Sequence, residues 1–476
     1  MGGAWSEGVR QVPTPARQVA QPSNKATPLS NPRKRALSEE DIEELSPKRK
    51  KIKSTSNYIY QTLFRDGINS DLTIRALGKE WKLHKVYLCQ SGYFSSMFSG
   101  SWRESNQSDI SLSIPDTNIT PEALDVAFSS LYKDHVHVGE TEVVPLVAAA
   151  TMLQLDGLLE HCQVYMRENM SLERVVPFLM ASTQYGLKNL KEECDNMLRL
   201  HLVKSYSVSL LKQLSTELLA ELLSSPELYV LQVEMDVYTL AKRWLYVSLH
   251  PDWSGEMDKL LTDSDQFFRE HSTANDDRCF LECPGKEEWG RVFRGVRVQH
   301  ILNDVVSVRT VEGDKIIPDG WLLPLYRSQW LSMLIVDQRM DTGPSNLSTD
   351  QFLATSLRCG RVIHEPGEYC WRWTGFSFGF DVLIMYNSST GVINVKRNTK
   401  SQPCVSAVSM QPTRTIMLRL RAALFDGSKF DTGVCQVPLT LDEEYHILTI
   451  SNSSFPLYVS VNLALTSRTD SHEQSS

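Results

Sequence analysis

Nowhere in the 476 residues is there an uninterrupted apolar run of the ~18 residues that a membrane-spanning helix needs. The nearest, Val143 to Leu159, is broken by Pro145, Thr151, Gln154 and Asp156, which makes it a core helix. Cysteine is sparse: nine residues, an odd number scattered from Cys89 to Cys435, exclude the dense disulfide framework of a small secreted domain and fit a reducing compartment. Their closest spacing, Cys279-x-x-x-Cys283, has no second pair at zinc-finger distance, so no metal site is expected. The chain has no phosphate loop, no G-x-S-x-G and no H-E-x-x-H, and the carboxylates Glu39 to Glu44 stand in a solvated charge run. Neither a catalytic residue nor a cofactor is expected.

What is present suits a folded protein of several domains. The apolar fraction is 41%, and 476 residues suffice for two to four domains. Net charge is -8 but unevenly placed, with residues 1–57 at +5 and the rest at -13. An acidic body with a basic tail argues against direct nucleic-acid binding by the folded part. The tail is rich in Pro, Ser, Gln and charge and is expected to be disordered. Within it Lys34-Arg35, twelve residues, and Lys48-Arg49-Lys50-Lys51 have the layout of a bipartite nuclear-import signal, in which two cationic clusters on a flexible segment engage two acidic pockets of an import receptor. Met1 to Ser6 also fits the pattern for N-myristoylation at Gly2, although so short a pattern arises by chance. One acyl chain binds membrane only marginally, so a membrane role rests on Gly2 being acylated with help from the basic clusters.

The stretch from Asp71 to Glu104 organises the rest. Leu72, Ile74 and Ala76 alternate with polar residues, Gly78 breaks the run, and Trp81 and Leu83 resume it, which predicts a hairpin. The period then changes: Tyr93-Phe94 and Met97-Phe98 recur four residues apart on one helical face. Asp71-Leu72-Thr73-Ile74, Leu83-His84-Lys85, Leu88 to Phe94 and Met97-Phe98 resemble the opening of a BTB (POZ) domain, a protein-interaction fold. His84 and Cys89 are read as core residues rather than ligands. Ile59 and Leu63, and Tyr60 and Phe64, pair at i,i+4 on a preceding helix, where the resemblance implies homodimerisation. It also implies binding to cullin-three through a hydrophobic-x-Glu motif filled by Trp102 and Glu104, with Tyr132 a weaker candidate for the same surface. An apolar anchor beside a carboxylate supplies buried area and register.

From Val143 the pattern is helical for roughly a hundred residues, with stripes such as Ala148, Met152, Leu155, Leu158 and Cys162. Val233-Glu234 through Val237, Ala241 and Trp244 resemble the BACK domain that follows BTB in cullin adaptors. Kelch repeats, with paired glycines at a period near 50, are absent. Residues 251–340 read as a connector packing on BACK, with short helices such as Trp330 to Val336. Period-two runs follow at Tyr369, Trp371, Trp373; Phe376, Phe378, Phe380; Ile416 to Leu424; and Leu457 to Leu465, predicting an antiparallel sandwich or barrel whose aromatics form its core.

The order BTB, BACK and then RCGRVIHEPGEYCWRWTGFSFGFDVLI, with Lys396 to Thr399 and Gln402-Pro403-Cys404, resembles the germ cell-less family over nearly the whole chain. The fold class expected is multidomain α+β: a disordered tail at 1–57, BTB at 58–140, all-α BACK at 141–250, the connector at 251–340, a β-sandwich-like domain at 341–468 and a disordered tail at 469–476. The resemblance implies a non-enzymatic cullin-three adaptor that selects a protein substrate, a nuclear-matrix or envelope location, a role in germ-cell development or spermatogenesis, and binding to DP-type transcription factors. A scaffold tethering such factors without ubiquitin transfer is the competing expectation.

Overall fold

The computed structural model describes residues 55–99, 107–274, 278–337, 347–373, 381–398, 411–424, 428–451 and 454–466. Gly2, the import clusters at Lys34, Arg35 and Lys48 to Lys51, the pair Trp102 and Glu104, the run Phe376 to Phe380 and the tail 469–476 lie outside the described residues. Two compact units divide the chain between Asn169 and Met170.

The first unit opens on a single α-turn, α1 (Thr55–Ile59), which continues as a π-helix over Tyr60–Arg65. The basic tail therefore ends before Thr55 rather than at 57. The predicted hairpin is formed by β1 (Leu72–Ala76) and β2 (Lys79–Leu83), antiparallel with Ile74 opposite Trp81. Leu77 and Gly78 both take positive φ, 48° and 77°, the two-residue turn whose twist matches the strands. After α2 (Lys85–Leu88) and α3 (Gly92–Ser99), β3 (Asp109–Ser111) runs parallel to β1, with Ile110 beside Ile74. Helix α4 (Pro121–Ser129) starts at Thr120, whose hydroxyl accepts from the Ala123 N–H at 3.1 Å, with Pro121 in the first turn. Its Phe128 meets the Trp81 ring edge-on at 5.3 Å, closing the core over the hairpin.

The expected boundary at 140/141 moves. Helices α5 (Val143–Met152) and α6 (Asp156–Glu168) fall in the first unit. Ser91 Oγ donates to the Leu153 carbonyl at 2.5 Å and the Gly92 N–H to that of Gln154 at 3.3 Å, tying the start of α3 to the end of α5. The 3.6 period runs through both units unbroken, so it carries no sign of where one core ends.

The second unit begins with helices α7 (Val175–Gln184), α8 (Lys188–Ser205), α9 (Val208–Gln213), α10 (Thr216–Ser224) and α11 (Glu234–Leu249). Val237, Ala241 and Trp244 are buried on α11, and the Trp244 indole N–H donates to the Leu214 carbonyl at 2.9 Å. The stretch expected as a connector is continuous with this core: it supplies α12 (Met257–Ala274), α13 (Gly290–Arg294), α14 (Val305–Asp314) and α15 (Asp319–Asp337). Asp314 at the end of α14 accepts from Tyr238 Oη at 2.9 Å and from Lys242 Nζ at 2.5 Å, both on α11. The helix expected over Trp330 to Val336 is the end of the 19-residue α15.

Helix α16 (Thr349–Thr355), closed by a capping box between Ser348 and Gln351, leads into the β region. Strands β4 (Leu357–Ile363), β5 (Glu368–Trp373), β6 (Asp381–Asn387), β7 (Val392–Asn398), β8 (Thr413–Ala423), β9 (Lys429–Asp431), β10 (Cys435–Thr440), β11 (Glu444–Thr449) and β12 (Leu457–Thr466) form two antiparallel sheets. One runs β10-β8-β12-β4 with β9 on β8, the other β11-β7-β6-β5. Ile416, Leu418 and Leu420 of β8 and Val459, Val461 and Leu463 of β12 face Val382, Ile384, Ile393, Val395 and Trp371 across the sandwich, as the alternation predicts. The opposite face of β8 and β12 is also buried, including Arg421, Ser460 and Asn462. The helical part of the unit meets it there.

Candidate protein-binding site

Around the residues proposed for partner contacts on the first unit, side chains separate into an inner and an outer set. Tyr132 is buried: its hydroxyl accepts from the His84 backbone N–H at 2.9 Å and lies 3.2 Å from His84 Nδ1. His84 Nε2 lies 2.9 Å from the Ile68 carbonyl, so the tautomer that satisfies both contacts carries its proton on Nε2 and accepts the Tyr132 proton at Nδ1. Burial pushes the Tyr132 phenol up to about 12. Its ring stacks on Tyr87 at 4.4 Å and packs on Phe64 at 5.3 Å. Tyr132 is therefore a core post, not a contact for a partner. Phe64 is buried with it, which removes it from the expected dimer surface, whereas Ile59, Tyr60 and Leu63 remain partly exposed and Tyr58 beside them is 61% exposed. His84 is core as expected; Cys89 is exposed at the end of α2. A helix of four residues, about one turn, is too short for its period to distinguish the faces.

The outer set lies on α2 and α3, immediately before Trp102 and Glu104 in the chain. Val86 is 74% exposed, Met97 and Phe98 are half-buried, and Lys85 Nζ lies over the Phe98 ring at 5.4 Å. An apolar patch flanked by a cation is suited to a partner helix or loop carrying an acidic residue.

The second unit contributes rigidity rather than an open groove. Glu234, the first residue of α11, is fully buried and meets Arg358 of β4, also fully buried. Arg358 donates Nε to Glu234 Oε2 at 3.0 Å, a second bond from Nη2 to Oε1, and Nη1 to the Leu223 carbonyl at 2.7 Å. The Arg297 N–H donates to Glu234 Oε1 at 2.8 Å, and its guanidinium reaches the Ser356 carbonyl at 2.5 Å and the Leu353 carbonyl. Asn462 of β12 completes the network by donating to Ser356 Oγ at 3.0 Å. Burial pushes the Glu234 carboxyl up, but the charge and hydrogen bonds of Arg358 and the Arg297 amide outweigh it and hold the group below the usual range. Burial and the neighbouring Arg358 push Arg297 down to about 9, against the pull of Glu234.

A second bridge lies further along β8. Arg421 donates to the Glu227 carbonyl at 2.7 Å, its carboxylate at 3.1 Å and the Leu228 carbonyl at 3.1 Å, while Arg419 Nη1 donates to Glu227 Oε1 at 2.7 Å. Gly360 lets the chain at Val230 to Gln232 lie across β4, its N–H donating to the Gln232 carbonyl at 3.2 Å. The sequence marks Glu234 within a helical motif and Arg358 and Gly360 within a family string, but their partners stand 63 residues or more away and leave no local signal. Trp371 is core, as its alternation with Tyr369 and Trp373 implies. Among the described residues no group of three or more His, Cys, Asp or Glu side chains could hold a metal ion.

Comparison with known proteins matches these two units. The BTB/POZ domain profile matches residues 60–170 and the profile described as BTB And C-terminal Kelch matches residues 175–260. Germ cell-less protein-like 1 of Mus musculus is 46% identical over 424 residues, covering 88% of this chain and 80% of that protein. Its Homo sapiens counterpart is 44% identical over the same length, with 88% and 82% covered. Protein germ cell-less of Drosophila melanogaster is 33% identical over 483 residues, with 92% and 84% covered. Kelch-like protein 38 of Homo sapiens is 32% identical over 111 residues, 23% of this chain. With BTB and BACK in this order, and identity that covers about nine-tenths of its length, the chain belongs to the germ cell-less family.

Proposed function

We propose that the chain is the substrate receptor of a cullin-three ubiquitin ligase, in which the first unit pairs with itself and docks the cullin while the sandwich holds the protein to be ubiquitylated. The observation that carries this reading is the joint: a sandwich fixed to BACK helices by buried ion pairs presents a bound target in one orientation. A receptor of this kind contributes proximity, raising the effective concentration of the target beside the transferring ligase. Exposed Val86 of α2 and half-buried Met97 and Phe98 of α3 support docking on that side of the first unit. In a pull-down with purified cullin-three, Trp102→Ala with Glu104→Lys is expected to reduce capture at least tenfold, the scale of losing one anchor. Full capture with the dimer intact would reject the assignment and leave a tether for transcription factors as the better description.

The same reading sends the chain to the nucleus through Lys34, Arg35 and Lys48 to Lys51, in a germ-cell setting suggested by the names of its relatives. Replacing Lys48 to Lys51 by Ala in a fluorescent fusion should shift the protein to the cytoplasm; an unchanged nuclear fraction overturns this part.

A further inference from the structure

Between α8, the loop at Glu227 to Tyr229 and strands β8 and β9 lies a cleft of about 90 Å³. Asn196, Arg199, Tyr229, Arg421, Lys429 and Phe430 are among its walls. The space admits a small polar head.

The charges around it are unequally matched. Glu227 and Asp431 are both engaged by Arg419, and Glu227 also by Arg421. Arg199 and Lys429 form no ion pair among the described residues; carboxylates act on them at longer range, Asp195 on Arg199 and Glu192 and Glu227 on Lys429. Arg199 and Arg421 each keep a buried Nε without a hydrogen-bond acceptor. A buried donor left unmatched is costly, and a guanidinium fork beside an ammonium suits a bound oxyanion. Burial pushes the Lys429 amine down, against the pull of Glu192 and Glu227 and with a smaller push from Arg199.

We propose that this cleft binds a single oxyanion, the carboxylate or phosphate of an acidic or phosphorylated residue in a captured polypeptide. It rests on the reading of the sandwich end as the part that holds the target, and it narrows that target to a segment that carries an anionic residue.

The test is thermal unfolding of the full chain titrated with inorganic phosphate, with acetate, and with chloride at matched ionic strength. Phosphate or acetate should raise the midpoint beyond chloride. Lys429→Met and Arg199→Gln should each weaken the apparent affinity at least tenfold, Lys429→Arg should restore most of it, and Arg309→Gln, outside the cleft, should leave it unchanged. A response to phosphate alone points to a phosphorylated residue, and one to both anions to an acidic residue as well. No response beyond chloride, or an undiminished response in Lys429→Met, overturns the proposal. Cullin capture measured on the same proteins keeps the two readings apart: intact capture without anion binding sinks only the cleft, and anion binding without capture sinks only the receptor.

Discussion

Glu234→Ala is expected to destabilise the second unit by about 3–5 kcal/mol, the cost of leaving one member of a buried ion pair without its partner. Arg358 is fully buried, with Arg297 close enough to press on it, so removal of the carboxylate leaves two cations facing each other out of water. Denaturant unfolding followed by tryptophan fluorescence, which reports Trp244 and Trp371, measures the loss. Replacing both Glu234 and Arg358 by Met should recover part of it, because a filled apolar pair carries no desolvation cost. Recovery stays incomplete, since the Leu223 and Gly295 carbonyls lose the guanidinium donors they accept from. The pH dependence has a definite sign. The Glu234 carboxyl is held below its ordinary value of about 4.3. Its stabilisation is therefore fully present above that pH and is lost as pH falls through the lower folded value. Glu234→Gln should lack this part of the acid-unfolding slope. A Glu234→Ala protein within about 1 kcal/mol of the parent would show that the joint does not depend on the pair.

This network marks the limit of what local patterns disclose. The alternation of Leu72 with Ile74, and of Ile416, Leu418 and Leu420, reveals strands because a period of two is set by neighbouring residues alone. Arg419, Arg421 and Asn462 occupy the alternate positions, where polar side chains imply a solvated face; they are instead matched by Glu227 and Ser356. Arg421 and Glu227 are 194 residues apart, so only the folded chain shows that this face is a joint. The same limit explains the first unit. Tyr132 resembles a contact residue at the end of α4 until its hydroxyl is seen to bridge His84, and Phe64 resembles a dimer residue until its ring is seen against Tyr132. The division at Asn169 was hidden because the helices on both sides share one period, whereas the order of modules was legible from motifs that each lie within a few turns.

Gly360→Ala should separate the sandwich from the helices by a purely steric route. Gly360 pairs with Ser460 of β12 while its other side faces the chain at Val230 and Leu231. A Cβ there would lie 2.3 Å from the Val459 carbonyl oxygen and 2.4 Å from that of Val230. Both obstacles are backbone. The first is fixed by the β12 ladder and the second belongs to a buried segment, so neither can rotate away as a side chain would. The expected loss is about 3 kcal/mol, the upper end for overpacking a close-packed site. Its signature differs from that of Glu234→Ala: no titrating group is removed, so the loss should be the same at pH 5 and pH 8. Amide exchange should accelerate at Gly360, whose N–H bonds to Gln232, and at Tyr229, whose N–H bonds to Arg199, while β6 and β7 in the other sheet stay protected. On the proposed receptor reading the cullin contact belongs to the first unit, so the variant should capture cullin-three as the parent does and yet transfer less ubiquitin to its target. Parent-like stability and amide exchange in Gly360→Ala would mean that the Val230 segment yields, and that the sandwich is not held in one orientation by this contact.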